Sequence, residues 1–500
     1  MNLWIKRIRP AVIILIICDI AACLYLCLNV YSEGTTRYKV MLSSCYILAF
    51  LICFYATGYR TVKPEVVFAL LVFVAGLFYM FTLTPFCVAD EETHYRISYK
   101  LSNILMFRFN DPMGCSTSDF SYAGFEAYHN TLSGYDRIIK ELGGRAEVGL
   151  ASVIPGDFTI SYAPMHLPQA LGITAGRLMR RNMVTNIMLG RLFNLLFYGI
   201  CVFHAVRIAP VYKSVLGCAA AVSAVIQDAS MLSHDTYING ISLLMTALFI
   251  RMALGEGTVR KKDFVAFAVL GILLSPAKMV YFPFIFLPLL IDKDKFEGGK
   301  KKYVAVVLIC AFIGMVLIYL CNLSDLRDIE DGSNLDFKER YTFDFVISHP
   351  AATLKLYLRS TSVFLKPWIS EAMVTDVLRI AEGWTRYITL AFMAILLLSA
   401  ADGVGQTEPH ISGTLKIGLL AAAFIMYSFI LVAMLIAWTN GNSDVILGVH
   451  GRYFDPLIPL ILLGINIPKM HFKKPHTSAL AITTAAVHGA VLLPILCYTV

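Results

Sequence analysis

Long apolar runs alternate with short polar stretches along most of this chain. About 20 consecutive apolar residues are enough for a helix to cross a bilayer. By that measure the pattern predicts membrane helices near residues 11–30, 40–58, 66–84, 186–206, 213–229, 237–253, 303–320, 384–400, 413–437, 453–467 and 478–498. The apolar stretch 263–291 is too long for one helix and contains Pro276, so we expect a hairpin of two short helices with Lys278 at its tip. The pattern therefore predicts about thirteen membrane segments.

Composition agrees with this pattern. Of the 500 residues, 58% are hydrophobic and 15% are charged, and the mean hydropathy is +0.68. Water-soluble domains carry about a quarter charged residues. Backbone polar groups in lipid need partners within their own segment, which favours helices. We therefore expect an all-α polytopic membrane protein, with residues 1–500 forming a single integral membrane domain.

The charge distribution gives an orientation and excludes one class of partner. The net charge of +8 comes from short basic clusters between the apolar runs. No basic face interleaved with aromatic residues appears, so nucleic acid is not an expected partner. Lys6, Arg7 and Arg9 precede the first run, which indicates an uncleaved signal anchor with a cytoplasmic N-terminus.

This orientation places two long polar loops on the outer face of the membrane. The chain then divides into three N-terminal spans, a large external loop, the middle spans with the hairpin, a second external loop and the C-terminal spans, at residues 1–84, 85–185, 186–320, 321–383 and 384–500. Residues 160–181 fit as an amphipathic helix on the outer surface, because counting them as a span would break the agreement with the basic loops. In the second external loop we also expect a surface helix around "FLKPW". This helix would close over a functional site on the outer face.

Unusual polar residues gather on this predicted external face. They are Asp90, Glu91, Glu92 and His94 at the start of the first loop, His234 and Asp235 between two spans, Lys278 at the hairpin tip, and Arg452 and Tyr453 at the entry to another span. Ionisable residues near membrane depth are costly and are functional candidates by default. Each also has a structural explanation: Asp90 can cap a helix, His234 and Asp235 can cap a turn, and Arg452 or Lys278 can anchor at the interface.

The spacing of these residues points to a chemistry. On a helix Asp90 lies four residues before His94, and Glu91 lies three residues before it, so they can share one face. A carboxylate beside an imidazole suits proton abstraction, and Glu91 with His94 can hold a divalent cation, for which Mg²⁺ and Mn²⁺ are the candidates. Arg452 and Lys278 suit a phosphate. Together with an apolar path for a lipid, they indicate group transfer from a lipid phosphate to an acceptor hydroxyl.

Several short blocks resemble a known family. They are "ADEETH", "SYAPMHLPQALG", "RLFNLLFY", "SHDTYINGISLLMTAL", "PAKMVYFPFIFLPLLI" and "HGRYFDPLIPLIL". In this order, over about residues 85–467, they resemble a bacterial polytopic membrane family catalogued as domain of unknown function 2142. That family is similar to GT-C glycosyltransferases, so the resemblance implies a GT-C-like fold.

The resemblance also implies a reaction. It implies a transferase in cell-envelope polysaccharide biosynthesis that takes a sugar from a polyprenyl-phosphate donor on the extracytoplasmic face of the bacterial cytoplasmic membrane. The acceptor would be a cell-surface glycan or another hydroxyl. The residues that match the motifs are Asp90, Glu91 and His94 in the first block, Asp235 in the fourth, and Arg452 and Tyr453 in the last. Ala89 stands where the family usually has Pro, and His450 where it has Gln, and both departures leave the acids intact.

The resulting hypothesis is an inverting transferase with a carboxylate base. Asp90 or Glu91 would accept the proton of the acceptor hydroxyl, while Arg452 and Lys278 stabilise the phosphate leaving group. A divalent cation held partly by Glu91 and His94 would assist. The alternative is a transporter or flippase for a lipid-linked sugar, with the same residues lining a pathway. No internal repeat is evident and the charges gather on one face, which favours an enzyme.

Overall fold

The computed structural model describes residues 35–47, 62–154, 163–321, 340–374, 382–401, 411–466 and 477–499. Over these residues the chain is mostly helical, with one small two-stranded sheet. This agrees with an all-α membrane protein. The predicted span 11–30 lies outside the described residues, and the span 40–58 is described only as far as residue 47.

The helices of the described residues are numbered in chain order. They are α1 (35–47), α2 (Pro64–Thr82), α3 (Glu91–Leu105), α4 (Leu132–Glu141), α5 (Ala163–Leu178), α6 (Met183–Ile208), α7 (Lys213–Ala220), α8 (Ser223–Ser230), α9 (Asp235–Leu254), α10 (Lys261–Ala277), α11 (Lys300–Cys321), α12 (Phe343–Ser348), α13 (Pro350–Met373), α14 (Glu382–Ala401), α15 (Gly413–Trp438), α16 (Ile458–Ile465) and α17 (Thr477–Tyr498). Segments of 3-10 helix cover Thr117–Phe120, Met279–Leu290, Lys293–Lys295 and Gly451–Leu457. Strands β1 (Gly114–Ser116) and β2 (Ala151–Val153) pair antiparallel in the first loop.

Among the described residues, seven helices are long and apolar enough to cross a membrane. They are α2, α6, α9, α11, α14, α15 and α17. Each coincides with a span that the apolar pattern predicts. The chain is thus a helical membrane protein with several apolar helices.

The continuous helix predicted at 213–229 is wrong. Helix α7 ends at Ala220, and α8 starts anew after Val222, whose backbone is extended. The carbonyls freed at the break find side-chain partners: the Tyr198 hydroxyl donates to Ala220 at 3.1 Å, and His488 Nε2 lies 2.9 Å from the Ala221 oxygen. Such partners stabilise a helix break in an apolar interior.

The other interrupted spans break at prolines. The predicted span 453–467 starts as a 3-10 segment containing Pro456 and continues as α16. In the stretch 263–291, α10 ends just after Pro276. The 3-10 helix Met279–Leu290 follows and packs against α10. A proline has no N–H for the helical ladder, so it favours such endings. Lys278 lies between the two segments with an extended backbone (φ −159°, ψ 103°).

Helix α6 is the centre on which the first loop packs. It contacts α2, α5 and α9, and α5 in turn contacts α3. The approach of α5 to α6 is close, because a Cβ at Gly172 would lie 2.3 Å from the Leu189 carbonyl oxygen. The helix expected within 160–181 therefore has one face, including Met165 and His166, buried against other helices. This packing holds the start of α3 at a fixed position relative to the membrane helices.

Candidate functional site

Arg452 lies in a 3-10 segment that α13 holds in place. The Gly451 amide donates to the Glu371 carboxylate at 2.8 Å, and the Trp368 indole N–H donates to the Val449 carbonyl at 3.1 Å. A Cβ at Gly451 would lie 2.2 Å from the Trp368 carbonyl oxygen, so this approach requires glycine. The "FLKPW" residues thus belong to a helix packed directly against the segment that carries Arg452.

Four of the expected site residues form one charged cluster, which we call the ion cluster. Arg452 Nη2 donates to Asp90 Oδ2 at 2.6 Å, and Arg452 Nε lies 3.3 Å from Asp235 Oδ2. Lys278 Nζ donates to the other Asp235 oxygen at 3.2 Å. These residues come from four separate parts of the chain. The Asp235 side chain is 7% exposed, whereas that of Asp90 is 53% exposed, so one carboxylate is enclosed and the other is accessible.

Asp90 does not act as the helix cap that its position suggests. It precedes α3 with a left-handed backbone (φ 66°) and makes no side-chain capping hydrogen bond. Left-handed conformations are uncommon outside glycine, although aspartate tolerates them better than most residues. Strained backbone of this kind clusters at functional sites. In this chain it accompanies a carboxylate that reaches Arg452 instead of the first helical turn.

Tyr453 helps to position Lys278. The lysine ammonium lies 3.7 Å from the centroid of the Tyr453 ring, within the range of a cation–π contact. The Tyr281 hydroxyl donates to the Tyr453 carbonyl at 2.7 Å, which holds the backbone of Tyr453 in place. Lys278 is therefore held by an enclosed carboxylate on one side and an aromatic ring on the other.

Glu91 lies apart from the ion cluster, in the core. Its carboxylate forms a bidentate pair with Arg191 of α6, with both N–O distances 2.7 Å. The amides of Phe86 and Leu232 donate to the same two oxygens at 2.7 and 3.1 Å. The side chains of this ion pair are 1% and 0% exposed. The prediction that Glu91 and His94 hold a cation together is therefore wrong, because four N–H donors already bind the Glu91 carboxylate.

Glu92 also points elsewhere. Its carboxylate pairs with Arg96 one turn further along α3, and both side chains are about one-third exposed, at 34% and 31%. An i,i+4 pair of this kind is an ordinary helix-surface contact worth a few tenths of a kcal/mol. Glu92 therefore supports α3 and is not part of the ion cluster.

Three imidazoles form a second group, which we call the histidine cluster. His94 Nδ1 lies 2.9 Å from His166 Nε2, and the His94 ring centroid lies 4.6 Å from that of His234. One potential ligand atom from each residue lies within 4.8 Å of the others. Burial, and then the neighbouring imidazoles, keep the pKa of His94 well below its usual value. Burial lowers the pKa of His234 to about 4 against the opposing effect of Asp235, so both are neutral near pH 7.

The sequence analysis did not identify His166 of the histidine cluster or Arg191, the partner of Glu91. His166 lies in the "PMH" of α5 and completes the histidine cluster, but its spacing gave no signal because its partners are distant in the chain. Arg191 lies in the middle of an apolar span, and a charge at that position was a signal that could have been used. Among its contacts, Arg191 Nη1 donates to the carbonyls of Met80 and Leu83 at 3.0 and 2.6 Å.

Two apolar grooves are lined in part by residues that directly follow Lys278 and Tyr453 in the sequence. One has a volume of about 970 Å³, is lined by the 3-10 segment with α11 and α15, and begins at Met279 next to Lys278. The other has a volume of about 520 Å³, is lined by α13 to α16, and includes Trp368 and Phe454 next to Tyr453. Both are lined almost wholly by aliphatic and aromatic side chains. The lining of each groove suits a hydrocarbon chain.

Comparison with protein families shows a match over most of the chain. The family described as "Predicted membrane protein (DUF2142)" matches residues 71–461. That range contains the ion cluster, the histidine cluster and the Glu91–Arg191 pair. No curated protein and no solved structure matches the chain. The description names a membrane character and no reaction.

Proposed function

We propose that this chain, which belongs to the family of predicted membrane proteins that matches residues 71–461, is a membrane glycosyltransferase. It moves a sugar from a polyprenyl-phosphate donor to the hydroxyl of a cell-envelope glycan or another acceptor. The observation that carries the proposal is the ion cluster of Asp90, Arg452, Asp235 and Lys278. Two apolar grooves are lined by segments that begin at Met279 and include Phe454, the residues after Lys278 and Tyr453 in the sequence.

The two cations of the ion cluster bind the donor phosphate. Arg452 offers a planar guanidinium that can bind a phosphate with two parallel hydrogen bonds, and Lys278 offers a point charge. Asp235 is a positioning residue, since its two oxygens face one cation each. The polyprenyl chain lies in one of the two apolar grooves, where burial of each CH₂ contributes about 0.8 kcal/mol.

Asp90 is the general base. The donor phosphate competes with Asp90 for Arg452, and this frees the more exposed of the two carboxylates. The acceptor oxygen then attacks the anomeric carbon while its proton passes to Asp90. The bond from that carbon to the phosphate oxygen breaks, and its electron pair stays on the phosphate, where Arg452 and Lys278 stabilise the charge. A single displacement inverts the configuration of the sugar.

We assign the site to the outer face of the bacterial cytoplasmic membrane. The support is the sequence: the basic loops fall on the opposite side of the predicted spans from the site segments. Lipid-phosphate sugars are the donors suited to that face, because a lipid anchor keeps the sugar at the membrane while the prenyl chain remains in apolar surroundings.

A transfer assay tests the proposal. The purified protein in nanodiscs is incubated with a panel of polyprenyl-phosphate donors carrying a radiolabelled sugar, together with envelope glycan acceptors. The proposal expects release of label from the lipid and its appearance on an acceptor with inverted configuration. If the lipids bind tightly and no donor turns over with any acceptor, the alternative of a transporter or flippase for a lipid-linked sugar replaces the enzyme.

Replacing Arg452 by Ala should weaken use of the donor selectively. A hydrogen bond to a charged group contributes about 1.5–3 kcal/mol, so the donor KM should rise roughly 10- to 100-fold. The acceptor KM should change little. Steady-state transfer kinetics with each substrate varied in turn measure both values.

Arg359→Ala is the matched control for that variant. Arg359 also pairs with an aspartate, Asp444, at 2.5 Å, but both side chains are more than half exposed and lie outside the ion cluster. The control should keep both KM values. An equal rise in both KM values for Arg452→Ala would contradict the role assigned to Arg452.

A further inference from the structure

We propose that His94, His166 and His234 form a binding site for a divalent transition-metal ion of the Zn²⁺ type. The three ligands come from α3, from α5 and from the turn before α9. This proposal concerns metal binding alone and does not rest on the glycosyltransferase activity. It also differs from the Glu91–His94 pairing that the sequence suggested, both in its ligands and in its metal.

The spacing of the ring nitrogens fits one ion. Zn–N bonds of about 2.0–2.1 Å in tetrahedral geometry place ligand nitrogens on the order of 3.4 Å apart. His94 Nδ1 and His166 Nε2 lie 2.9 Å apart, and the three ligand atoms lie within 4.8 Å of one another. Binding of one ion would therefore draw the ligand atoms that are up to 4.8 Å apart to about 3.4 Å.

His234 presents a nitrogen suited to a ligand role. Its Nε2 lies 3.4 Å from Asp235 Oδ1. Its Nδ1 is buried and has no hydrogen-bond partner among the described residues. A buried polar atom without a partner is costly. Metal-binding histidines commonly direct one nitrogen to the ion and the other to a carboxylate, which is the arrangement that Nδ1 and Asp235 offer.

The donor set selects the kind of ion. Mg²⁺ and Ca²⁺ prefer oxygen ligands, whereas neutral imidazoles suit Zn²⁺, Ni²⁺ and Cu²⁺. His94 and His166 are 7% and 0% exposed, so the protein encloses this donor set. Three protein ligands leave a fourth position for water or another small ligand. Since Asp235 contacts His234, Lys278 and Arg452, it would connect the metal site to the ion cluster.

The test measures metal binding directly on the full chain. The protein is purified with a tag that contains no histidine, stripped with a chelator and titrated with Co²⁺ as the probe. We expect one Co²⁺ per chain with the intense visible absorption of a tetrahedral site. Zn²⁺ should displace it at equimolar concentration, and excess Mg²⁺ should not.

Variants locate the site. Removal of an outer-sphere partner costs about 10- to 100-fold in metal affinity, so loss of a ligand in His166→Ala should cost more than about 100-fold. His204→Ala is the matched control, because His204 is an exposed histidine on α6. If His166→Ala does not fold, His234→Ala serves instead, since the His234 side chain is partly accessible at 24%.

Either of two results would overturn the proposal. One is a wild-type protein that gives no tetrahedral Co²⁺ spectrum. The other is a folded His166→Ala or His234→Ala variant with the same affinity as His204→Ala. In both cases the buried imidazoles would be a hydrogen-bonded group without a metal. Neither outcome bears on sugar transfer, because no donor or acceptor is present in the experiment.

Discussion

Replacing Asp90 by Asn is expected to lower kcat by about 10²- to 10⁴-fold, the usual contribution of a general base. The amide has nearly the same shape but cannot accept the proton that leaves the acceptor hydroxyl. The variant should fold, because the Asp90 side chain is 53% exposed and makes no capping bond in α3. Transfer of label at saturating donor and acceptor measures the effect.

Asp444→Asn is the control for this variant. Asp444 is another exposed aspartate paired with an arginine, and its side chain is 64% exposed. It lies outside the ion cluster, so its replacement should leave kcat unchanged. An Asp90→Asn enzyme that keeps kcat within a few-fold of wild type would show that Asp90 is not the base.

Replacing Glu91 by Gln is expected to destabilise the protein by about 3–5 kcal/mol, the usual cost of breaking a buried ion pair. The change removes the charge that balances Arg191, and it turns one acceptor oxygen into a donor among four N–H groups. Helices α3 and α6 would lose their shared polar contact. Unfolding in a denaturing-detergent titration, followed by circular dichroism, measures the loss.

Two further variants separate the structural and catalytic roles of Glu91. Glu92→Gln removes a partly exposed helix-surface pair, which contributes about 0.3–0.5 kcal/mol. The double replacement Glu91→Met with Arg191→Met removes both charges and should recover only part of the stability. The backbone groups that bind this pair, among them the Phe86 and Leu232 amides and the Leu83 carbonyl, would be left buried without their partners. A Glu91→Gln protein as stable as Glu92→Gln but unable to transfer sugar would instead support the catalytic role that the sequence suggested.

The helices were largely predictable because the membrane imposes a simple rule on the sequence. A span needs about 20 apolar residues, and α2, α6 and α15 follow from runs of that length. The break between α7 and α8 was not predictable. It depends on the side chains of Tyr198 and His488, which are supplied by other helices and satisfy the freed carbonyls.

The four members of the ion cluster were predictable, whereas the positions of Glu91 and Glu92 and the part of His166 were not. The ends of the predicted spans and the proline-broken hairpin put Asp90, Asp235, Lys278 and Arg452 on one face, and the structure brings these four together. Helical spacing could not show which neighbour each side chain would meet.

Glu91 and Asp90 show the limit of such reasoning. They are adjacent acids at the start of α3, and the local pattern assigns both the same candidate role. In the fold, Arg191 binds Glu91 in the core while Asp90 reaches Arg452 at the surface. The difference arises from residues about 100 and 362 positions away in the chain, which no local pattern reveals.

The most direct test of the central claim is the binding of polyprenyl phosphate to the wild type and to Asp90→Asn in nanodiscs. If the donor phosphate takes the place of Asp90 at Arg452, removing the competing charge should tighten binding. A partly exposed ion pair contributes about 0.2–1 kcal/mol, so binding should tighten up to about five-fold. Tighter binding by a variant that no longer transfers sugar is the predicted result. Unchanged or weaker binding would contradict the competition between Asp90 and the donor phosphate for Arg452.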